Sequence, residues 1–164
     1  MANQKITDLT AITAPGASDV LALVDLSGAA VTKKVTRANL LGVVAINMIM
    51  GSGTSVISTG IKGAIEMPFA CTIEAVRLVG ILPASTNGNL VVDIWKDSYA
   101  NYPPTVADTI TAAAKPTLAA AQKYEDATLT GWTLSIATGD WLIINVDSAA
   151  TLTLAGLSLR VRRS

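Results

Sequence analysis

The chain has 164 residues, with 12 basic and 12 acidic side chains and a formal net charge of zero, so nothing in its charge balance draws it toward nucleic acid or anionic lipid. Histidine is absent and Cys71 is the single cysteine, which excludes an intrachain disulfide, a zinc site built from Cys and His, and Ser-His-Asp or Cys-His catalysis. Hydrophobic residues make up 51% and charged residues 15%, enough for a core but little polar material to cover a monomer, so an oligomer is expected.

Residues 1–42 have a composition of their own. No apolar leader follows the polar start Met1-Ala-Asn-Gln-Lys5. The longest apolar run, residues 40–50, is interrupted by Gly42 and Asn47 and falls short of the roughly 20 residues that a membrane helix needs, so a soluble protein with no membrane partner is expected. Ala14-Pro-Gly-Ala-Ser-Asp19 is a turn cluster. Residues 20–25 and 31–36 read as short strands around the turn Ser27-Gly28, and Thr36 is placed to cap one helical turn over residues 37–41 that Gly42 stops. The apolar residues are too sparse for a core, so this arm needs a larger surface to lie on.

Over residues 43–50, Val43, Ala45, Asn47 and Ile49 share one strand face and Val44, Ile46, Met48 and Met50 the other. The second face is wholly apolar and is expected at a subunit contact. Gly51-Ser-Gly53 then reads as a hinge; it lacks the further glycine, helix and lysine of a phosphate loop. The expected division is an attachment arm (1–42), an apolar strand with a Gly/Ser linker (43–56) and a β domain (57–164).

Within that domain Cys71 reads as a small core residue. Val76 and Leu78 share a phase opposite Arg77, and Thr86-Asn87-Gly88-Asn89 marks a hairpin or corner. Leu90, Val92 and Ile94 form the buried phase of the next strand. A long connection, residues 97–126, contains Tyr102-Pro-Pro104; residues 115–124 suit one or two helical turns or an irregular crossover. Leu142, Ile144 and Val146, then Leu157, Leu159 and Val161, alternate with wetter positions, and Gly139-Asp140 supplies a tight turn. Trp95 and Trp141 fall on the outward phases, where an anchor in a subunit interface is expected unless the arm folds back over them. The fold class is all-β, an antiparallel β-sandwich preceded by an extended N-terminal arm with short strands.

The carboxylates that could pair as acid and base are Glu66 with Glu74, Asp93 with Asp97, and Asp140 with Asp147. Each lies on a polar strand phase or in a turn, where a solvated carboxylate is the default, so no enzyme is expected. No oxygen-rich metal site stands out, and no cofactor is implied.

The stretch KITDLTAITAPGASDVLALVDLSGAAVTKKVTRANLL, residues 5–41, resembles the N-terminal module of many tailed-bacteriophage virion proteins. Its marks are Lys-Ile-Thr-Asp-Leu, a Pro/Gly turn, an aspartate-containing hydrophobic run, Thr-Lys-Lys-Val-Thr and an Ala-Asn-Leu-Leu ending. The resemblance implies an attachment segment, with Ile6, Leu9, Ile12, Leu21, Leu23, Val24 and Leu26 as its docking residues. Residues 60–161, including VDIWKDSYANYPPTVADTI and GWTLSIATGDWLIINVDS, resemble a jelly-roll-like sandwich that recurs in phage particle proteins, often behind such an arm.

The two resemblances together imply a virion structural protein, made in the host cytoplasm and carried on the particle surface, contacting a capsid or other virion protein. They also imply a homotrimer, with Val44, Ile46, Met48, Met50, Trp95 and Trp141 at its interface. With an arm and one globular domain but no shaft, the chain suits a head decoration or cement knob. The alternative is a short tail fibre or receptor-binding tip that recognises a host glycan through a loop carrying Tyr99 and Tyr102.

Overall fold

A computed structural model of the chain describes residues 20–25, 31–36, 42–83 and 87–164. The chain divides into two compact units, Met1–Gly42 and Val43–Ser164. In the smaller one, β1 (Val20–Asp25) and β2 (Val31–Thr36) pair antiparallel, with Val20 opposite Thr36 and Asp25 opposite Val31. Ile6, Leu9, Ile12 and Leu26, and the helical turn expected over 37–41, lie outside the described residues. Of Leu21, Leu23 and Val24 only the strand backbone is described.

The larger unit contains β3 (Val43–Gly51), β4 (Gly60–Glu66), β5 (Cys71–Leu82), β6 (Gly88–Ser98), β7 (Thr117–Ala121), β8 (Lys123–Asp126), the short β9 (Ser135–Ile136), β10 (Asp140–Ala150) and β11 (Leu154–Arg163). One sheet runs β4-β10-β6-β7 and the other β3-β11-β5-β8, with β9 also beside β5. All neighbours are antiparallel. With β9 set aside, every connection except β6 to β7 crosses between the sheets, and the last two strands are inserted into the middle of the two sheets. That order is the eight-stranded jelly roll.

Alternation along the strands builds the core. Leu90, Val92 and Ile94 of β6 and Leu142, Ile144 and Val146 of β10 face Ile73, Val76 and Leu78 of β5 and Leu157, Leu159 and Val161 of β11, all buried. Each such side chain contributes about 1.5–3 kcal/mol by leaving water. Cys71 is buried with them.

Three expectations are corrected. First, the apolar face of β3 lines the sandwich: Met50 is 1% exposed, and Val44, Ile46 and Met48 pack half-buried against the core. Met50 therefore presents no bare contact surface. Second, β3 pairs with β11 from Leu154 opposite Gly51 to Arg162 opposite Val43, so residues 43–51 belong to the domain and the division falls at Gly42. Gly51-Ser-Gly53 is a fixed corner inside the larger unit. The Gly53 N–H donates to the Thr153 carbonyl at 2.9 Å, both glycines have positive φ, and a Cβ at Gly51 would run into the Thr153 carbonyl.

Third, residues 115–124 hold no helical turn: they contain β7 and the start of β8. The chain crosses from one sheet to the other between them, as the alternative reading expected, but through regular strands. Leu118 pairs with Leu90 of β6, and Lys123 with Val79 of β5. Alanine favours helix only weakly, and two waiting sheet edges outweigh that preference. Trp132 is a buried anchor whose indole N–H donates to the Ala114 carbonyl at 2.9 Å.

Candidate functional site

The outward phases of β6 and β10 sit side by side, with Asp97 opposite Trp141, Trp95 opposite Ile143 and Asp93 opposite Asn145. A bare sheet face would leave them wet, yet Ile143 is buried and Asp93 is 0% exposed. The connection from β6 to β7 supplies the cover. It starts with two short 3-10 turns, Tyr99–Asn101 and Val106–Asp108. It then runs beside β6, where Thr109 bridges to Trp95 and the Ile110 N–H donates to the Ile94 carbonyl at 2.9 Å. Trp95 is half-buried beside this segment of its own domain.

A polar network pins the connection down. Asp93 Oδ1 accepts hydrogen bonds from the Thr109 hydroxyl at 2.6 Å, the Thr111 hydroxyl at 2.7 Å and the Ile94 N–H at 2.8 Å. Its Oδ2 lies 2.9 Å from Lys115 Nζ, which also reaches Asp147 Oδ2 at 2.6 Å. Asp147 Oδ1 in turn accepts from the Asn145 amide at 2.7 Å. Burial pushes the Asp93 carboxyl up, but the two hydroxyls and the ammonium together hold it below the ordinary carboxylate range. Hydrogen bonds to Asp147 and then Asp93 push the Lys115 ammonium above its usual value, against the effect of burial.

Four of the six carboxylates singled out in the sequence, Glu74, Asp93, Asp140 and Asp147, are paired with cations. Besides Asp93 and Asp147 on Lys115, Asp140 binds Lys96 at 2.9 Å and the Ala137 N–H at 2.9 Å. Glu74 binds Arg162 at 2.5 Å and Arg160 at 3.5 Å. Among the described residues no group of three or more Cys, Asp or Glu side chains is placed to hold a metal ion.

At the Trp141 end the outer face carries an aromatic cluster. Tyr102 meets the Trp141 ring edge-on, with centroids 5.1 Å apart, and Tyr99 lies tilted at 6.3 Å. Tyr99 is 73% exposed and Tyr102 46%. Asp97 borders them: its Oδ1 accepts from the Ser98 N–H at 2.7 Å and the Asn101 amide at 3.2 Å, and these bonds hold its carboxyl below the ordinary range. Exposed aromatic faces beside a carboxylate and an amide can stack on the apolar face of a ring while polar groups at the rim take its hydroxyls.

The sequence named all three aromatics, but gave Trp141 to a subunit contact and the tyrosines to a ligand loop; the structure brings them together. It also brings in Thr109, Thr111, Lys115 and Asn101, which sequence reasoning passed over. The available signal was an aspartate inside the run Leu90-Val-Val-Asp-Ile-Trp95. A carboxylate so placed needs donors, and Thr109-Ile-Thr111 with Lys115 are donors downstream. The chain matches no family model, no curated protein and no solved structure.

Proposed function

We propose that the chain is a structural protein of a tailed-phage particle, a jelly-roll knob on the capsid surface anchored by residues 1–42. The observation that carries this reading is the division at Gly42, which separates a small N-terminal unit containing one hairpin from a complete jelly roll. That is the order of parts the phage resemblance implies. Several apolar arm side chains docking together, each contributing about 1.5–3 kcal/mol, suffice to hold a subunit on a particle. We do not extend the proposal to a trimer. Trp141 packs on Tyr99 and Tyr102, and Trp95 is half-buried beside Thr109, within one subunit.

The test is decoration of particles that lack this protein. The full chain should bind and raise their heat resistance, and residues 43–164 alone should not. Equal decoration by the truncated chain would overturn the anchoring role of the arm.

The aromatic cluster favours a second reading, a receptor-binding tip that stacks a host glycan on Tyr99, Tyr102 and Trp141. Binding on a glycan array that disappears in Tyr99→Ala/Tyr102→Ala would favour it over the cement role. An array with no signal would remove it.

A further inference from the structure

The two sheets end in β4, β7, β3 and β8. An edge strand presents a row of unpaired N–H and C=O groups, and proteins blunt such edges with short strands, bulges and charge. Three of these four are blunted. In β4, Lys62 bulges between Gly63 and Ile61, the partners of Ile144 and Asn145. β7 has 5 residues, a register shift against β6 and Ala120 at φ 48. β8 has 4 residues, three of them charged, in Lys-Tyr-Glu-Asp.

β3 has none of these devices. It is 9 residues long, contains neither charge nor proline, and runs in unbroken register with β11. On its outer face Ile49 is 60% exposed. On its inner face Val44 and Ile46 border a cleft of about 320 Å³ between β3 and β4, which Ile65, Met67 and Phe69 also line. Among the described residues, the sandwich is thus open along the same edge where no strand pairs with the outer side of β3.

We infer that this edge joins two copies of the chain, β3 to β3, antiparallel about a two-fold axis through Asn47. Residues opposite each other in an antiparallel pair share a hydrogen-bonding phase and a face, so the axis of a self-pair must pass through a residue. Placing it at Asn47 uses the whole strand. Val43 then faces Gly51 and Ala45 faces Ile49, a larger side chain against a smaller one each time. Val44 and Ile46, half-buried at the mouth of the cleft, then lie opposite Met50 and Met48 of the second copy. β3 itself brings no charged group to the seam, and Glu66 and Arg163 border the cleft beside it.

The other strands that end a sheet suit this edge less well. β1 carries Asp25, β2 carries Lys33 and Lys34 together, β4 carries Lys62 and Glu66, and β8 is mostly charged. Self-pairing is the arrangement that keeps the seam neutral and full-length. The inference stands apart from the phage reading, since it rests on β3 alone.

The experiment is sedimentation of the full chain at tens of micromolar, with exchanges at the exposed Asn47. The wild type and the neutral Asn47→Ser should be dimers. Asn47→Lys and Asn47→Asp each set like charges face to face at the axis and should each weaken association roughly tenfold or more. Mixing the two in equal amounts should restore a dimer, because lysine then faces aspartate. A monomeric wild type would overturn the inference and leave the edge to the N-terminal arm or another protein. Undiminished association of either charged variant, or a mixture that stays monomeric, would overturn it equally.

Discussion

Lys115 Nζ lies 2.9 Å from Oδ2 of Asp93, whose side chain has no exposure to solvent. This one contact ties the end of a long connection to the outer face of a central strand. Removing the cation would strand a buried carboxylate, and breaking such pairs typically costs about 3–5 kcal/mol. Because Lys115 is partly exposed, Lys115→Met is expected to cost roughly 3 kcal/mol. Asp93→Asn should cost less, since its amide oxygen can still accept from Thr109 and Thr111. Urea unfolding curves measure both. A Lys115→Met loss no larger than that of an ordinary surface change would show that the pin contributes nothing.

The same pair sets a pH profile. Asp93 has a folded-state pKa below its ordinary value. Its contribution is therefore complete above the unfolded value near pH 4 and disappears as acid passes through the lower folded value. Lys115 is raised, so its contribution is complete below its unfolded value, about pH 10.4, and is lost as alkali passes through the higher folded value. Thermal midpoints should stay level around neutrality and fall at both extremes. In Asp93→Asn/Lys115→Met both limbs should be shallower, and an unchanged acid limb would refute the role of Asp93.

Gly88 opens β6 directly over Leu152, a fully buried side chain, and a Cβ there would collide with the leucine. Gly88→Ala is expected to cost about 1–3 kcal/mol through overpacking, and Leu152→Ala about 2–5 kcal/mol through the cavity it leaves. Combined, they should cost clearly less than their sum, because the new methyl occupies space the leucine vacates. Strict additivity would refute the contact.

Truncation tests the domain boundary. Residues 43–164 retain every strand of the jelly roll, so this fragment should unfold cooperatively, with a midpoint within a few degrees of the full chain. Residues 57–164, the domain as read from sequence, lack β3 and uncover one side of β11. That fragment should aggregate or unfold. A well-folded 57–164 fragment would show that β3 is dispensable.

The strands β6, β10 and β11 were legible because a half-wet sheet imposes alternation, and Leu90, Val92 and Ile94 or Leu157, Leu159 and Val161 carry it plainly. What periodicity cannot supply is a reason for apolar residues in the other phase. Trp95, Trp141 and Ile143 looked like an interface because the sequence does not say that residues 99–116 fold back over them. The apolar face of β3 was read correctly as a face, but the sequence does not say that it lines the sandwich. The alanines at 119–121 misled for a related reason: their preference is local, while their pairing partner Gly88 lies far back in the chain.

The order of strands also dictates when this domain can form. β10 separates β4 from β6, and β11 separates β3 from β5, so one of the two inner strands of each sheet is among the last made. In a growing chain that ends before Asp140, β6 can pair with β7 and β5 with β8, but β3 and β4 have no neighbour to close on. Assembly by such distant pairings is slow and leaves apolar strands open meanwhile. Elongation therefore delivers parts, and the domain closes only once β10 and β11 have left the ribosome. A premature stop in the last two strands would yield an unfolded chain and not a shortened knob.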